Sequence, residues 1–148
     1  MITHSLSRLT FLLDTIPAQL RRIAPVVFSA TSDPRRWSKQ EILGHLIDSA
    51  TNNHHRLVRA QFEQVPVITY NQDEWVRCHQ YREMNAGALI DLWAAYNMHL
   101  LALASCLSGE ALARKCGTGG PEPVTLAFLV DDYVRHMEHH LAQIMSDT

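Results

Sequence analysis

The sequence is poor in the features that mark secretion, nucleic-acid binding and repeat architecture. Its 148 residues include only three cysteines, an odd number without a C-x-x-C pair, which is typical of reduced thiols and not of a disulfide framework. The formal net charge at pH 7 is −2, so the chain lacks the basic surplus with which proteins bind nucleic acids or anionic membranes. Internal repeats and low-complexity tracts are also missing. We therefore expect neither a nucleic acid nor a membrane as a partner.

Long uninterrupted apolar runs are missing as well. The first residues, MITHSL, show no basic segment followed by an apolar one, so we predict no secretory signal. The most apolar stretch, residues 89–107, is interrupted by Asp91, Asn97 and His99, which favours a helix of a protein core over a membrane span. Together with the reduced thiols, this predicts a cytoplasmic protein.

What the sequence does contain is an ordinary globular balance and many histidines. Hydrophobic residues make up 47 % and charged residues 19 % of the chain, and 148 residues suit a single domain, residues 1–148. A chain of this length buries about two-thirds of its unfolded surface, which allows a substantial core. Nine histidines are more than such a chain normally carries, and they raise the expectation of a metal site.

Hydrophobic periodicity predicts four long helices and no convincing strand. The second helix starts with a capping box at Ser38, the third with Asn85 as N-cap and the fourth with Thr125 as N-cap. In the first helix, Pro17 is expected to kink the helix or divide it into two pieces. The predicted helices span residues 5–28, 38–63, 85–107 and 125–145.

Four helices of this length predict an all-α four-helix bundle. Residues 64–83 connect the second and third helices, begin near Pro66 and show no helical period. About twenty residues can carry the chain back along the length of a helix, whereas antiparallel neighbours need only a short loop. We therefore predict an up-down-down-up topology with this long connection between helices two and three.

The last helix carries the most informative pattern. His136 and His140 stand four residues apart, about 40° apart around the helix, at the edge of its apolar stripe. This spacing lets two imidazoles bind one metal ion, although the same spacing also occurs on ordinary helix faces. His136 with His139, three residues apart, is the alternative pair. His45, on the polar face of the second helix, is the best candidate for a third ligand, although periodicity alone does not bury it.

The remaining histidines show no such arrangement. His54 and His55 point away from the direction of His45 around the second helix, and His4, His79 and His99 lack partners at a useful spacing. We interpret them as surface residues or as core residues with satisfied hydrogen bonds.

Four segments of the chain form a recognisable pattern. They are WSKQEILGHLIDSATNNHHR at residues 37–56, QDEWV at residues 72–76, WAAYN at residues 93–97 and HMEHHLAQ at residues 136–143. Together these segments resemble the DinB/YfiT-like superfamily, and the resemblance covers nearly the whole chain.

The resemblance implies a metal site. In that superfamily a four-helix bundle holds a divalent metal through three histidines, one on the second helix and two, four apart, on the last. Carried onto this sequence, the implied ligands are His45, His136 and His140. Three neutral imidazoles suit zinc, nickel, cobalt or iron(II), of which zinc or nickel is expected here, and they leave positions open for catalysis.

Further residues would then lie around the metal. Asp48, one turn after the first ligand, and Gln143, one turn from the ligand pair, are candidates for orienting the imidazoles. Asn52, Arg56 and Tyr133 are candidates for substrate binding. Asn52 is also the next candidate for orienting an imidazole, and Arg56 could hold a substrate carboxylate. Each of these five could equally be an ordinary polar residue of the surface.

The resemblance also sets the functional expectation. Relatives in the superfamily include transferases and an isomerase that use low-molecular-weight thiols, and others described as metal-dependent hydrolases. We expect a metal-dependent enzyme that activates a low-molecular-weight thiol for transfer to a small electrophilic substrate. The alternatives are hydrolysis by a metal-bound hydroxide and, in another class, a non-catalytic stress-related protein that binds metal. Apolar helix faces left over by the bundle would favour a homodimer.

Overall fold

The computed structural model describes residues 2–146. Four long helices make up most of the molecule: α1 (Thr3–Arg21), α3 (Lys39–Arg59), α5 (Ala86–Ser105) and α7 (Leu126–Met145). Short elements join them: helices α2 (Pro25–Ser29), α4 (Gln72–His79) and α6 (Gly109–Ala113), a 3₁₀ turn (Tyr81–Glu83), and an antiparallel pair of strands, β1 (Lys115–Cys116) and β2 (Val124–Thr125).

The predicted helix starts are confirmed. The Ser38 hydroxyl accepts from the Glu41 amide at 3.1 Å, and the Glu41 carboxylate accepts from the Ser38 amide at 2.7 Å. The side chains of Asn85 and Thr125 cap α5 and α7 in the same way. Each cap satisfies a backbone amide that would otherwise lack a partner at the start of its helix.

The first helix is divided, but not at Pro17, where the sequence predicted a kink or a division. Pro17 lies inside α1, which continues to Arg21, and the division falls at residues 22–24. Pro25 is the physical reason, because a proline disfavours helical geometry in the residue before it. Ala24 has a ψ of 136°, and Pro25 then occupies the first position of α2, where its missing N–H costs nothing.

The long connection is not irregular throughout, which corrects the reading of residues 64–83. α3 ends at Arg59, before the predicted end, and the chain then forms α4 and the 3₁₀ turn. The side chain of Asn71 accepts from the Glu74 amide and caps α4. α6 and the two short strands were not predicted either. We call residues 60–85 the crossover.

The up-down-down-up topology is confirmed. α1 and α7 run parallel. Ser5 of α1 bonds to Asp131 of α7, and Arg8, about one turn later in α1, bonds to Glu138, about two turns later in α7. α5 runs antiparallel to α1, since Arg21 at the end of α1 pairs with Asp91 near the start of α5.

α3 and α7 are antiparallel neighbours, and α3 and α5 are parallel neighbours. Lys39 at the start of α3 reaches the backbone at Ile144 near the end of α7, while His54 in α3 bonds to Tyr96 in α5. The crossover is therefore long because it must return the chain along the whole bundle before α5 can begin.

The buried side chains divide α3 into two faces. One face joins the apolar core, in which Trp93 and Met137 are fully buried. The other face is polar yet also buried, because the crossover and α7 cover it. Its buried polar side chains are Gln40, His45, Asp48, Ser49, Asn52, Asn53 and Arg56. A buried polar face on a bundle helix is unusual, and it positions the site described below.

α5 has a different character. By length and composition alone this helix is apolar enough to span a membrane, a weak signal that core helices of bundles also give. Here it packs against α1 and α3. Its outer face leaves apolar side chains exposed, including Leu92 and Met98. This face suits the expected homodimer, which stays a prediction.

Candidate metal centre

Three imidazoles converge between α3 and α7. One potential ligand atom from each of His45, His136 and His140 lies within 4.8 Å of the other two. Nε2 of His45 is 3.2 Å from Nε2 of His136, and the ring centroids of the three pairs are 4.6 to 5.0 Å apart. We call these residues the histidine trio. The structure thus brings together the three residues that the sequence singled out as ligands.

Local packing explains how His45 reaches this position. Its ring is fully buried and lies 4.9 Å from the ring of Trp37. The preceding residue, Gly44, lets the ring of Tyr81 lie directly against α3, because a Cβ at position 44 would overlap that ring. The crossover can therefore pack closely against α3 near His45, whose side chain is fully buried.

The burial of the trio sets its protonation. Burial, followed by the proximity of His136 and His140, lowers the pKa of His45 to about 3. Burial and the neighbouring His140 lower the pKa of His136 to about 4, and burial also lowers the pKa of His140. The imidazoles are therefore neutral at pH 7, which is the form in which histidine binds metal.

Gln143 lies beside His140, as the sequence predicted. Its Oε1 is 2.8 Å from Nδ1 of His140, and its Nε2 is 3.3 Å from Nε2 of His139. An N–H at Nδ1 of His140 would donate to Gln143 and leave Nε2 as the free nitrogen of that ring. Gln143 thus contacts both neighbouring histidines, of which His140 belongs to the trio and His139 does not.

Asp48 bonds to the crossover and not to the trio, although the sequence suggested that it would orient an imidazole of the trio. Its carboxylate accepts from the Tyr81 hydroxyl at 2.5 Å and lies 3.3 Å from Nδ1 of His79, so it joins α3 to the crossover. Burial raises the pKa of this carboxyl. Within residues 2–146 it makes no hydrogen bond to the trio, and Nδ1 of His45 is buried without a partner. His79, which seemed isolated in the sequence, contacts both Asp48 and the Tyr81 ring.

A polar cleft of about 240 Å³ opens beside the trio. We call it the α3–α7 cleft. His136 is one of the residues that line it, so a molecule in the cleft would lie next to the trio. The two helices contribute most of the polar wall: Ser49, Asn53 and Arg56 from α3, and Asp132, Tyr133 and His136 from α7.

Arg56 lies in this cleft, as the sequence suggested. Only 8 % of the residue is exposed. Nε and Nη2 donate to the carbonyl of Ile68 at 3.1 and 2.8 Å, and Nη1 donates to Oδ1 of Asn53 at 3.3 Å. Burial lowers the pKa of the guanidinium. The ring of Tyr70, in the crossover, lies 6.0 Å away and forms another part of the wall.

Asn52 and Tyr133, the two other residues expected to bind substrate, differ in whether they line the cleft. The Asn52 amide donates to the backbone carbonyl of Asp48 at 2.9 Å, and this residue does not line the cleft. Its neighbour Asn53 does. Tyr133 borders the cleft, but its hydroxyl donates to the Asn97 side chain inside the bundle, and burial raises its pKa. Tyr133 therefore offers its ring, and not its hydroxyl, to a bound molecule.

Sequence reasoning missed several residues of the cleft. Ser49 and Asn53 follow His45 at steps of four residues, and Asp132 precedes His136 by four, so helical spacing alone could have indicated them. Tyr70 and Thr118 lie outside the long helices, and nothing in their local sequence indicates that they reach the cleft.

Comparison with known proteins agrees with this arrangement. The sequence profile of the DinB superfamily matches residues 1–144. The chain belongs to the DinB superfamily. This confirms the resemblance found in the sequence. YfiT of Bacillus subtilis (strain 168), whose name suggests a metal-dependent hydrolase, is 26 % identical over 140 residues, which cover 89 % of this chain and 78 % of YfiT.

A further relative and the solved structure of YfiT extend the comparison for this DinB-superfamily protein. A protein of Oceanobacillus iheyensis with a name of the same kind is 28 % identical over 111 residues, 74 % of this chain and 64 % of that protein. The solved structure of YfiT, described as an unusual four-helix bundle topology, has a TM-score of 0.82 at 21 % identity over 97 % of this chain and 86 % of YfiT.

The fold also extends to an enzyme. The mycothiol-dependent maleylpyruvate isomerase has a TM-score of 0.81 at 14 % identity, with all of this chain and 62 % of the isomerase covered. This chain thus spans less than two-thirds of the isomerase, and the likeness concerns the fold alone.

Proposed function

We propose that this protein is a metal-dependent enzyme in which His45, His136 and His140 hold one divalent transition metal, zinc or nickel by preference. The observation that carries the proposal is the convergence of three neutral imidazoles, from two helices, beside a polar cleft. Three nitrogen donors suit borderline metals and leave coordination positions for a substrate.

A bound dication would supply a Lewis acid that lowers the pKa of a thiol or water beside it. The residues of the chain supply the rest. Gln143 holds the ring of His140, and the packing of Trp37 holds the ring of His45. Asn53, Arg56 and the other polar groups of the cleft would orient a small substrate against the trio.

We propose that the activated group is a low-molecular-weight thiol that attacks an electrophilic substrate. The likeness in fold to a mycothiol-dependent isomerase supports this reaction class. The cleft is also small and polar, which fits a thiol of low molecular weight and not a peptide or a nucleic acid. Arg56 would bind an anionic group of the thiol or of its partner substrate.

Hydrolysis is the second candidate, because two relatives carry names that suggest metal-dependent hydrolases. It would use the same trio and the same cleft, with water in place of the thiol. The expected cytoplasmic location and the homodimer remain predictions alongside either reaction.

Metal analysis of untagged protein tests the proposal directly. We expect about one zinc or nickel ion per chain in the wild type and almost none in His45→Ala, His136→Ala or His140→Ala. His139→Ala is the matched control, because this residue lies beside the trio without belonging to it. Equal metal content in the control and the three variants would refute the site.

Activity assays then separate the reactions. Metal-loaded protein should consume a thiol together with a generic electrophile under the first proposal, and should turn over esters or amides without thiol under the second. Stoichiometric metal without turnover in either assay would instead favour the non-catalytic metal-binding protein.

A further inference from the structure

Arg56 is a buried cation with no acidic partner. Its guanidinium is almost fully enclosed, and three of its five N–H groups bond to the Ile68 carbonyl and to Asn53. No carboxylate of residues 2–146 forms an ion pair with it. A buried charge without a counter-charge is costly to maintain, and an anion that binds in the cleft would remove that cost.

Asp132 places a negative charge in the same cleft. It precedes His136 by one turn of α7, and its charge partly offsets the lowering of the pKa of Arg56 and of His136 by burial. Its Oδ1 accepts from Nη2 of Arg135 at 3.1 Å, an ion pair in which both side chains are half exposed.

The contact between Asp132 and Arg135 does not prevent Asp132 from binding a ligand. Exposed ion pairs contribute little to stability. Arg135 also lies 3.3 Å from the carboxylate of Asp131, so it keeps an acidic partner if Asp132 turns to a bound cation. Asp131 itself bonds to Ser5 and does not line the cleft.

The remaining polar side chains of the cleft, Ser49, Asn53, Tyr70 and Thr118, are neutral. The cleft therefore presents one cation and one anion beside the trio. Its volume corresponds to about eight water molecules, which fits a molecule the size of an amino acid or a small derivative of one.

We propose that the α3–α7 cleft binds a small zwitterion of the amino-acid class, with its carboxylate on Arg56, its ammonium on Asp132 and its side chain directed toward the histidine trio. This inference rests on the proposed function and specifies its substrate: a thiol built on cysteine, with both charged groups free. A ligand with a carboxylate alone would use only half of the site.

Binding of S-methylcysteine to the zinc-loaded protein, followed by NMR titration, is the test. This probe carries both charges and no thiol, so its binding does not depend on thiol activation. Its N-acetyl derivative lacks the ammonium, and its amide lacks the carboxylate. In the wild type we expect each loss to weaken binding about ten- to a hundredfold, the effect of one hydrogen bond to a charged group.

Asp132→Asn should weaken binding of S-methylcysteine by the same factor and should remove the difference between S-methylcysteine and its N-acetyl derivative. The amide should remain weak in this variant, because Arg56 is intact. Asp131→Asn is the matched control, since it removes the neighbouring acidic partner of Arg135 outside the cleft, and it should bind all three probes like the wild type.

Three results would overturn the zwitterion: no saturable binding of S-methylcysteine, equal binding of the N-acetyl derivative in the wild type, or an undiminished difference in Asp132→Asn. Equal binding of the N-acetyl derivative would instead indicate a site for a simple carboxylate.

The same titration with His140→Ala separates this inference from the proposed enzyme. If the metal is lost but the preference among the probes persists, the zwitterion site stands independently of metal chemistry. If the preference holds yet cysteine is never consumed by the metal-loaded wild type, thiol activation fails and the zwitterion site remains.

Discussion

Two histidine clusters lie on different sides of α3, and only one of them has the properties of a metal centre. The trio combines a buried ring from α3 with two rings from α7 beside a cleft. The second cluster pairs His54 with His99 of α5, with ring centroids 5.3 Å apart, and Nδ1 of His54 lies 3.0 Å from the Tyr96 hydroxyl.

The difference lies in what surrounds the rings. His99 is exposed and no third ligand joins the pair among the described residues. Burial and the neighbouring His99 and His55 lower the pKa of His54, as burial does in the trio. Histidines in contact therefore do not make a metal site by themselves; a third converging nitrogen, a covering segment and an adjacent cleft are needed as well.

The largest expected contrast between the clusters is metal content. His45 is the fully buried member of the trio, so we expect His45→Ala to lose almost all of the metal that the wild type binds. His54→Ala, on the same helix but in the other cluster, should keep it. Elemental analysis of both variants checks this, and metal loss in His54→Ala would show that the pair contributes to binding.

The clusters should also differ in how they affect stability at acid pH. In the metal-free protein the unfolded imidazoles bind protons below their pKa of about 6.5, whereas folded His45 and His136 stay neutral until about pH 3 to 4. The unfolded state therefore takes up more protons, and stability falls as pH decreases from about 6.5 toward 4.

We expect the melting temperature to drop by about 10 °C between pH 7.5 and 5, mostly through the trio. His54→Gln should reduce this drop only slightly, and His45→Gln should reduce it clearly. A pH dependence that His45→Gln leaves unchanged would contradict the assignment. Thermal unfolding in the presence of a chelator provides the measurement.

A smaller expected effect concerns the crossover, which covers the trio but not the pair of His54 and His99. Gly44→Ala forces a Cβ into the Tyr81 ring and should destabilise the protein by about 1 to 3 kcal/mol, as overpacking does. Gly109→Ala is the control, because a Cβ there meets open space. Denaturant unfolding measures both, and equal stability of the two variants would show that the Tyr81 contact is easily rearranged.

The smallest expected effect concerns the hydrogen bonds that hold each cluster. Gln143→Ala frees the ring of His140 and should weaken metal binding about tenfold, the lower end of such effects. Tyr96→Phe removes the corresponding bond to His54 and should leave the metal affinity unchanged. Competition with a chromophoric chelator measures both affinities; equal effects would remove Gln143 from the site.

Much of the frame could be predicted from the sequence because it depends on local rules. The caps at Ser38, Asn85 and Thr125 and the apolar periodicity define three of the long helices, and the length of the crossover indicates the topology. Helical spacing together with the family resemblance identified the three residues of the trio.

The remainder depends on packing between distant segments. α4 and α6 have eight and five residues, too few for a distinct hydrophobic period, and short helices depend on tertiary contacts for their stability. Asp48 follows His45 by three residues, which turns its carboxylate toward the crossover and Tyr81. That contact, and the approach of Tyr70 to the cleft, cannot be read from neighbouring residues.

The crossover contributes to the wall of the cleft but not to the histidine trio. The trio belongs entirely to α3 and α7, whereas Tyr70 belongs to a connecting segment outside the four long helices. Insertions and substitutions in connecting segments are better tolerated than those in bundle helices. Changes within residues 60–85 could therefore reshape the wall of the cleft around Tyr70, while Arg56, Asp132 and the three imidazoles, which lie on the bundle helices, are inherited without change.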